Sequence, residues 1–141
     1  MLSSNSAYAE LSSLCNTGET TVWSCLAKNK IYSLCKSNDL DAENGYLQYR
    51  VASSKKIIFQ YPKEVRHPKG YFEFYLQPHG ASLSFTNEGY EYLLTEDIKG
   101  GAIINVQKNA ESISNIICSE STDSLTLNET IELFKKAGIA K

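Results

Sequence analysis

The chain has 141 residues, of which 42% are hydrophobic and 21% charged, and its 14 basic and 16 acidic side chains leave a net charge of −2 at pH 7. This length fits one globular domain, and the composition excludes an intrinsically disordered chain. The balanced charge argues against nucleic-acid binding, and no apolar run reaches the roughly 18 residues that a membrane-spanning helix needs.

Residues 1–14 are interpreted as the remnant of a signal peptide or as a flexible head. Ala7 and Ala9 occupy the two small positions that signal peptidase recognises, although the apolar segment that should precede such a site is missing. The alternative is a chance match, because two alanines with this spacing are common. An even number of cysteines without C-x-x-C spacing favours an oxidising compartment. The sequence therefore predicts export by a signal peptide that is only partly present.

Four cysteines, Cys15, Cys25, Cys35 and Cys118, predict two disulfides within a β-domain at residues 15–119. Their spacing alone allows three pairings. A tight hairpin would place Cys25 opposite about Tyr32, which makes a bond between Cys25 and Cys35 awkward. We therefore favour Cys15 with Cys25 and Cys35 with Cys118. The alternative is a set of free buried thiols in a cytosolic protein.

Apolar and polar residues alternate with period two from residue 20 to about residue 117, and turn residues interrupt the pattern at short intervals. Nine tyrosines against five phenylalanines suit strands with one buried and one wet face. The clearest hairpin signal is Asn87-Glu88-Gly89, whose glycine can adopt the positive φ of a three-residue loop. These patterns predict a mainly β fold, an antiparallel sandwich or barrel of about eight strands.

The period changes to that of a helix in the C-terminal segment, residues 120–141. Thr126 and Glu129 fit a capping box, and Gly138 supplies a stop signal. The pattern predicts one short amphipathic helix over about residues 127–137. We expect this helix to cap an open end or edge of the sheet, and a partner-binding helix is the alternative.

Catalytic motifs are absent from the sequence: there is no G-x-S-x-G, no H-E-x-x-H and no phosphate-binding glycine loop. His67 and His79 stand in turn-like contexts, which favours surface histidines over a general base. No third ligand suggests a metal site built on them. The sequence therefore predicts a protein that is not an enzyme and that binds no cofactor or metal.

A basic segment at residues 63–69 lies between two predicted strands and is bracketed by Pro62 and Gly70. Loops that a β-scaffold holds rigid commonly carry recognition, because their ordering entropy is spent during folding. The candidate partner-binding residues in this loop are Lys63, Arg66 and His67. The alternative is an ordinary solvated connection.

A second candidate partner-binding group combines tyrosines on the solvent-facing side of a predicted strand with an adjacent acidic turn. Its members are Tyr90, Tyr92, Glu96 and Asp97. Tyrosine is a favoured anchor of protein interfaces. Packing of a half-buried strand accounts for these tyrosines equally well.

Four stretches of the chain resemble a family of small exported proteobacterial proteins, most of them uncharacterised. They are TTVWSC at 20–25, KIYSLC at 30–35, GYLQYR at 45–50 and FTNEGYEY at 85–92. Membership implies export to the periplasm, disulfide bonds and a β-fold. In architecture alone, the chain is also similar to periplasmic lysozyme inhibitors, which plug the cleft of a hydrolase with a loop.

These observations predict a periplasmic protein-binding inhibitor that inserts a loop into an enzyme's cleft or covers it. The expected partner is a toxic effector, which would make the chain an immunity protein, or a cell-wall hydrolase. The alternative is a non-enzymatic envelope domain that binds a small ligand or glycan. A concave pocket lined by tyrosines would favour that alternative, and a solid core with protruding loops would favour the inhibitor. An enzyme is the third class considered, and a cleft that joins a histidine to a carboxylate and a serine would support it.

Overall fold

The computed structural model describes residues 12–141 and folds them into two antiparallel sheets of five strands each. Sheet A contains β1 (Glu19–Ala27), β2 (Lys30–Ser37), β3 (Leu47–Ser53), β4 (Lys56–Tyr61) and the short β10 (Glu120–Ser121), in the order β10-β1-β2-β3-β4. Sheet B contains β5 (Glu73–Gln77), β6 (Gly80–Asn87), β7 (Tyr90–Asp97), β8 (Ala102–Lys108) and β9 (Glu111–Ile117), in chain order. A single helix in this part of the chain, α1, spans Asn128–Lys136.

The predicted class, a mainly β fold with an antiparallel sandwich or barrel and one short C-terminal helix, is confirmed, and the two five-stranded sheets are consistent with the sandwich. Residues 12–141 form ten strands, whereas the sequence predicts about eight. The two-residue strand β10 is too short to show a period in the sequence. Several hairpins close through two-residue turns in which both residues have positive φ, at positions 28–29, 54–55, 88–89 and 109–110. Asn87 pairs with Tyr90, so that loop has two residues instead of the predicted three.

The core lies between the sheets and is filled by inward-facing side chains. Trp23 and Leu34 of sheet A and Leu83 and Leu94 of sheet B are fully buried there. Aromatic rings occupy one end of the same layer. The ring of Tyr61 stacks on Phe85 at 4.3 Å between centroids, Phe85 stacks on Tyr92 at 4.6 Å, and Tyr92 stacks on Phe59 at 5.4 Å. Side chains thus fill the space between the sheets at this end.

Two disulfides join Cys15 to Cys35 and Cys25 to Cys118, with Cα–Cα distances of 5.3 and 5.6 Å. The number of bonds is as predicted, but the favoured pairing is wrong. Cys25 pairs with Tyr32 and faces the core, where Cys118 reaches it from the end of sheet B. Cys35 lies an odd number of residues from Tyr32 and therefore faces the outside of sheet A, beside Cys15.

The C-terminal segment closes edges of both sheets. Strand β10 pairs with β1, and residues 139–141 run alongside β5 through hydrogen bonds from the Phe74 N–H to the Ile139 carbonyl and from the Lys141 N–H to the Phe74 carbonyl. Phe134 of α1 packs on Phe74 at 4.9 Å between centroids. The predicted capping box is wrong, because Leu127 is the N-cap residue and makes no side-chain cap bond.

The start of the described chain lies across the outer face of sheet A. The Ser12 carbonyl accepts a hydrogen bond from the Ser24 hydroxyl, and the Leu14 N–H donates to the Ser33 hydroxyl. The predicted signal-peptidase site at Ala7 and Ala9 lies outside the described residues. The two disulfides are compatible with an oxidising extracellular compartment. Residues 12–141 contain no helix with the length and apolar content needed to cross a membrane.

Candidate functional site

The loop at residues 62–71, called the basic loop below, connects β4 of sheet A to β5 of sheet B. Its tip exposes Lys63, Glu64, Val65 and Arg66 to solvent. The Val65 side chain is 47% exposed. The tip therefore carries two cations, one carboxylate and one aliphatic group.

Hydrogen bonds from β3 hold the backbone of the basic loop at two points. The Gln48 side-chain amide donates to the Pro62 carbonyl at 2.7 Å, and the Leu47 N–H donates to the Arg66 carbonyl at 3.4 Å. Pro62 and Pro68 are themselves buried. The loop is consequently anchored at Pro62 and at Arg66, while the side chains of its tip stay exposed.

His67 anchors the loop from its centre. Its Nδ1 accepts a hydrogen bond from the Lys69 N–H at 3.2 Å, and its Nε2 lies 2.7 Å from the Asp41 carbonyl oxygen. Because a backbone N–H can only donate, Nδ1 is unprotonated and Nε2 carries the proton that it donates to Asp41. The half-buried His67 thus positions the loop, and both its ring nitrogens are already occupied.

Arg66 is exposed but held in place by an aromatic neighbour. Its guanidinium lies 5.0 Å from the centre of the Tyr71 ring and donates a hydrogen bond to the Tyr71 hydroxyl. A stacked guanidinium keeps fewer rotamers than a free one. Tyr71 therefore presents the Arg66 charge in a defined direction.

A groove of about 500 Å³ runs beside the basic loop. Lys69 and Tyr71 line one part of it, and Glu73, Glu91 and Lys141 line another. The Lys141 ammonium and the Glu73 carboxylate lie 3.7 Å apart, with both side chains half exposed. The groove carries both signs of charge.

A buried ion pair between Glu19 and Arg50 is linked to the basic loop through the side chain of Gln48. Glu19 accepts hydrogen bonds from two guanidinium nitrogens of Arg50, at 2.7 and 2.8 Å, and one from the Tyr46 hydroxyl at 2.6 Å. The Arg50 hydrogen bonds hold the pKa of Glu19 at about 2. Arg50 also donates to the side-chain oxygen of Gln48 at 2.8 Å, and Gln48 in turn holds Pro62. The pair thus orients the side chain that anchors the loop.

The side chains of Cys15, Cys35 and Glu19 lie close enough together to suggest a metal site. The two sulfur atoms are bonded to each other, and the carboxylate is occupied by Arg50. A disulfide sulfur is not the thiolate that binds metals. This cluster is a cross-link beside an ion pair.

The second predicted group is not brought together by the structure. Tyr90 and Asp97 stand at opposite ends of β7, about 23 Å apart for an extended strand of that length. The Tyr92 ring belongs to the aromatic stack, and burial raises the pKa of its hydroxyl. The Tyr90 ring lies 4.7 Å from the Lys108 ammonium. Strand packing accounts for both tyrosines.

Glu96 is fully buried, so its interpretation as a partner-binding residue is wrong. It faces inward on β7, as Leu94 does. Its carboxylate accepts hydrogen bonds from the N–H groups of Leu125 and Thr126, at 3.0 and 2.9 Å, and from the Thr126 hydroxyl at 2.8 Å. Glu96 therefore fixes the segment that leads into α1.

Asp97 is the last residue of β7, and its carboxylate accepts a hydrogen bond from the Lys99 N–H in the following turn at 2.8 Å. It borders a second groove, of about 580 Å³, together with His79, Ile103 and Ile117. This groove lies at the end of β7 away from Tyr90. Asp97 and the basic loop therefore belong to separate surfaces.

Sequence reasoning missed three residues that shape the basic loop: Val65, Tyr71 and Gln48. Val65 lies within the predicted segment, and an aliphatic residue between charges was a usable signal. The roles of Tyr71 and Gln48 depend on contacts between separate elements, which the sequence does not show. Comparison of the chain with protein-family models, with curated proteins and with solved structures finds no match.

Proposed function

We propose that this chain is a periplasmic protein-binding inhibitor that blocks a toxic effector or a cell-wall hydrolase with its basic loop. One observation carries the proposal: the side chains of the tip at residues 63–66 are exposed while the backbone carbonyls of Pro62 and Arg66 are hydrogen-bonded to β3. A loop ordered before binding loses little conformational entropy on association. The chain needs no catalytic group for this role.

The chemistry of the tip suits an acidic cleft. Glycoside hydrolases commonly place two carboxylic side chains at the bond they cleave. Lys63 and Arg66 offer complementary charge and outnumber Glu64, the one carboxylate of the tip, and Val65 offers an apolar contact. Charge pairs of this kind raise the association rate and determine which partners bind.

The filled core supports an inhibitor over a domain that holds its ligand between the sheets. Stacked rings, including those of Tyr61, Phe85 and Tyr92, occupy the aromatic end of the layer. The tyrosines that would line a ligand pocket are used there for packing. The half-buried tyrosine of the basic loop, Tyr71, instead supports Arg66.

The test is inhibition and binding by the purified, oxidised protein. It would be titrated into a panel of cell-wall hydrolases and into the product of any adjacent toxin gene, with calorimetry for binding. We expect one tight complex that loses about 100-fold or more in affinity in the double variant Lys63→Glu, Arg66→Glu. The control variant Lys28→Glu, Lys99→Glu changes the net charge equally in exposed turns away from the loop. Equal affinity of both variants, or no complex with any candidate, would overturn the proposal.

A further inference from the structure

Strand β4 is an open edge of sheet A. Among residues 12–141 its only strand neighbour is β3. At the opposite edge of the same sheet, β10 pairs with Cys25 and Leu26 of β1, and residues 139–141 hydrogen-bond to Phe74 of β5. An open edge presents unpaired N–H and C=O groups to which another extended chain can bind.

The side chains of β4 make this edge unusually apolar. Ile57 is 43% exposed and Ile58 is 54% exposed. The strand spans six residues before Pro62, with a β-bulge at Ile58, where the register with β3 shifts between the pairs Ala52–Ile57 and Val51–Phe59. Its length therefore matches an added strand of ordinary size.

Cations flank β4 on both sides. Lys55 and Lys56 stand at its start, and Lys63 and Arg66 follow its end in the basic loop. Glu64 is the one acidic residue between positions 53 and 72. Four cations therefore flank the two exposed isoleucines along the chain, with the one carboxylate, Glu64, among them.

This charge pattern favours some pairing strands over others at the β4 edge. Antiparallel pairing of two copies of β4 would bring Lys55 and Lys56 of one copy against Lys63 of the other. Lysines on an edge strand discourage edge-to-edge pairing, and two copies of β4 would add repulsion between like charges. The same lysines attract a strand that carries carboxylates at its ends.

We propose that β4 binds an extended segment of the partner protein by strand addition. The segment carries Asp or Glu near both ends and apolar side chains at its centre, opposite Ile57 and Ile58. Main-chain hydrogen bonds supply affinity in this mode, and the side chains supply specificity. This inference rests on the proposed function, because it names the part of the partner that lies beside the cleft filled by the basic loop.

Strand β9 is the other open edge and serves as the internal comparison. Among the described residues its one strand neighbour is β8, and it exposes Ile113 and Ile117. Acidic residues, Glu111 and Glu120, flank it. It does not lead into the basic loop, and its charge would repel the segment that β4 attracts.

The test is selection from a display library of random twelve-residue peptides against the oxidised full chain, followed by amide hydrogen exchange on the complex. We expect acidic peptides with an apolar centre and slower exchange at residues 56–60. Binding should weaken about tenfold or more in the variant Lys55→Glu, Lys56→Glu. It should also weaken in Ile58→Ser, and it should stay unchanged in Lys28→Glu, Lys99→Glu.

Neutral or basic peptides, protection on β9 instead of β4, or the recovery of no peptide would overturn the inference. Thermal unfolding of each variant shows whether it is folded, and Ile58→Ser tests the edge without a change of charge. If no β4 peptide is found while the basic loop still binds an enzyme, only this inference fails. If acidic peptides bind β4 but no enzyme binds the loop, the proposed function fails instead.

Discussion

Glu19 and Arg50 form a bidentate salt bridge across sheet A, with N–O distances of 2.7 and 2.8 Å. Glu19 begins β1 and Arg50 lies in β3, so the contact spans β2. The side chains are only 6% and 7% exposed, respectively. Through Gln48 the pair is linked to Pro62, where the basic loop begins.

Replacing Arg50 with Met should destabilise the fold by about 3–5 kcal/mol, because the Glu19 carboxylate would stay buried without its partner. Urea denaturation at pH 7 measures the change. The exposed pair of Glu132 and Lys135 provides the control. Lys135→Met should change stability by less than about 1 kcal/mol. Similar losses for the two variants would contradict the assignment of Glu19 and Arg50 as a buried pair.

Stability should fall in acid because of Glu19. Its pKa is about 2 in the folded chain, against an ordinary value of 4.5, so the folded state favours the ionised form. The contribution is complete above about pH 4.5 and is lost as the pH falls toward 2. It corresponds to about 3 kcal/mol.

The variant Glu19→Gln removes this titration. We expect its free energy of unfolding to change less between pH 5 and pH 2.5 than that of the wild type. Glu132→Gln, at an exposed position, should keep the wild-type dependence. An unchanged pH profile for Glu19→Gln would show that this carboxylate is not the source of acid sensitivity.

The two disulfides should differ in their contribution to stability. The Cys25–Cys118 bond joins residues 93 apart and the Cys15–Cys35 bond residues 20 apart. In the chain-entropy model, the longer loop contributes about 4.6 kcal/mol and the shorter about 3.3 kcal/mol. Paired Cys→Ala variants, compared by denaturation, should show the larger loss for Cys25 and Cys118. Non-reducing peptide mapping that recovers any other pairing would contradict the fold described here.

The disulfide pairing shows how far the sequence alone could go. Alternation along β1 and β2 already places Cys25 and Cys35 on opposite faces, since Cys25 is paired with Tyr32. Which face is covered by the N-terminal segment, and which by sheet B, depends on how the sheets pack. The sequence alone therefore could not identify Cys15 as the partner of Cys35, or Cys118 as the partner of Cys25.

Strands were predictable because one face of each sheet is buried, which imposes period two on the residues. Glu96 illustrates the opposite case. Its alternation with Leu94 indicates an inward side chain, while its charge suggests a surface position. The backbone donors of Leu125 and Thr126 resolve the conflict, and they come from a segment 29 and 30 residues away in sequence. The basic loop was located from Pro62, Gly70 and the charges between them, whereas its anchoring on β3 was not visible.

Glu96→Ala should destabilise the chain by about 2–4 kcal/mol, because the buried N–H groups of Leu125 and Thr126 would lose their acceptor. Thermal and urea denaturation measure the loss. Asp97→Ala is the neighbouring control, at an exposed position. Its loss should be smaller, because its carboxylate accepts a hydrogen bond in an exposed turn. A stable Glu96→Ala variant would contradict the role of this carboxylate in fixing the C-terminal segment.

The most direct test of the inhibitor is a hydrogen-exchange footprint of its complex with the enzyme or effector it blocks. We predict that the strongest protection falls on residues 63–71 of the basic loop. The groove that contains Asp97, His79 and Ile117 should exchange as in the free protein. Protection centred on that groove, with the basic loop unchanged, would contradict the account.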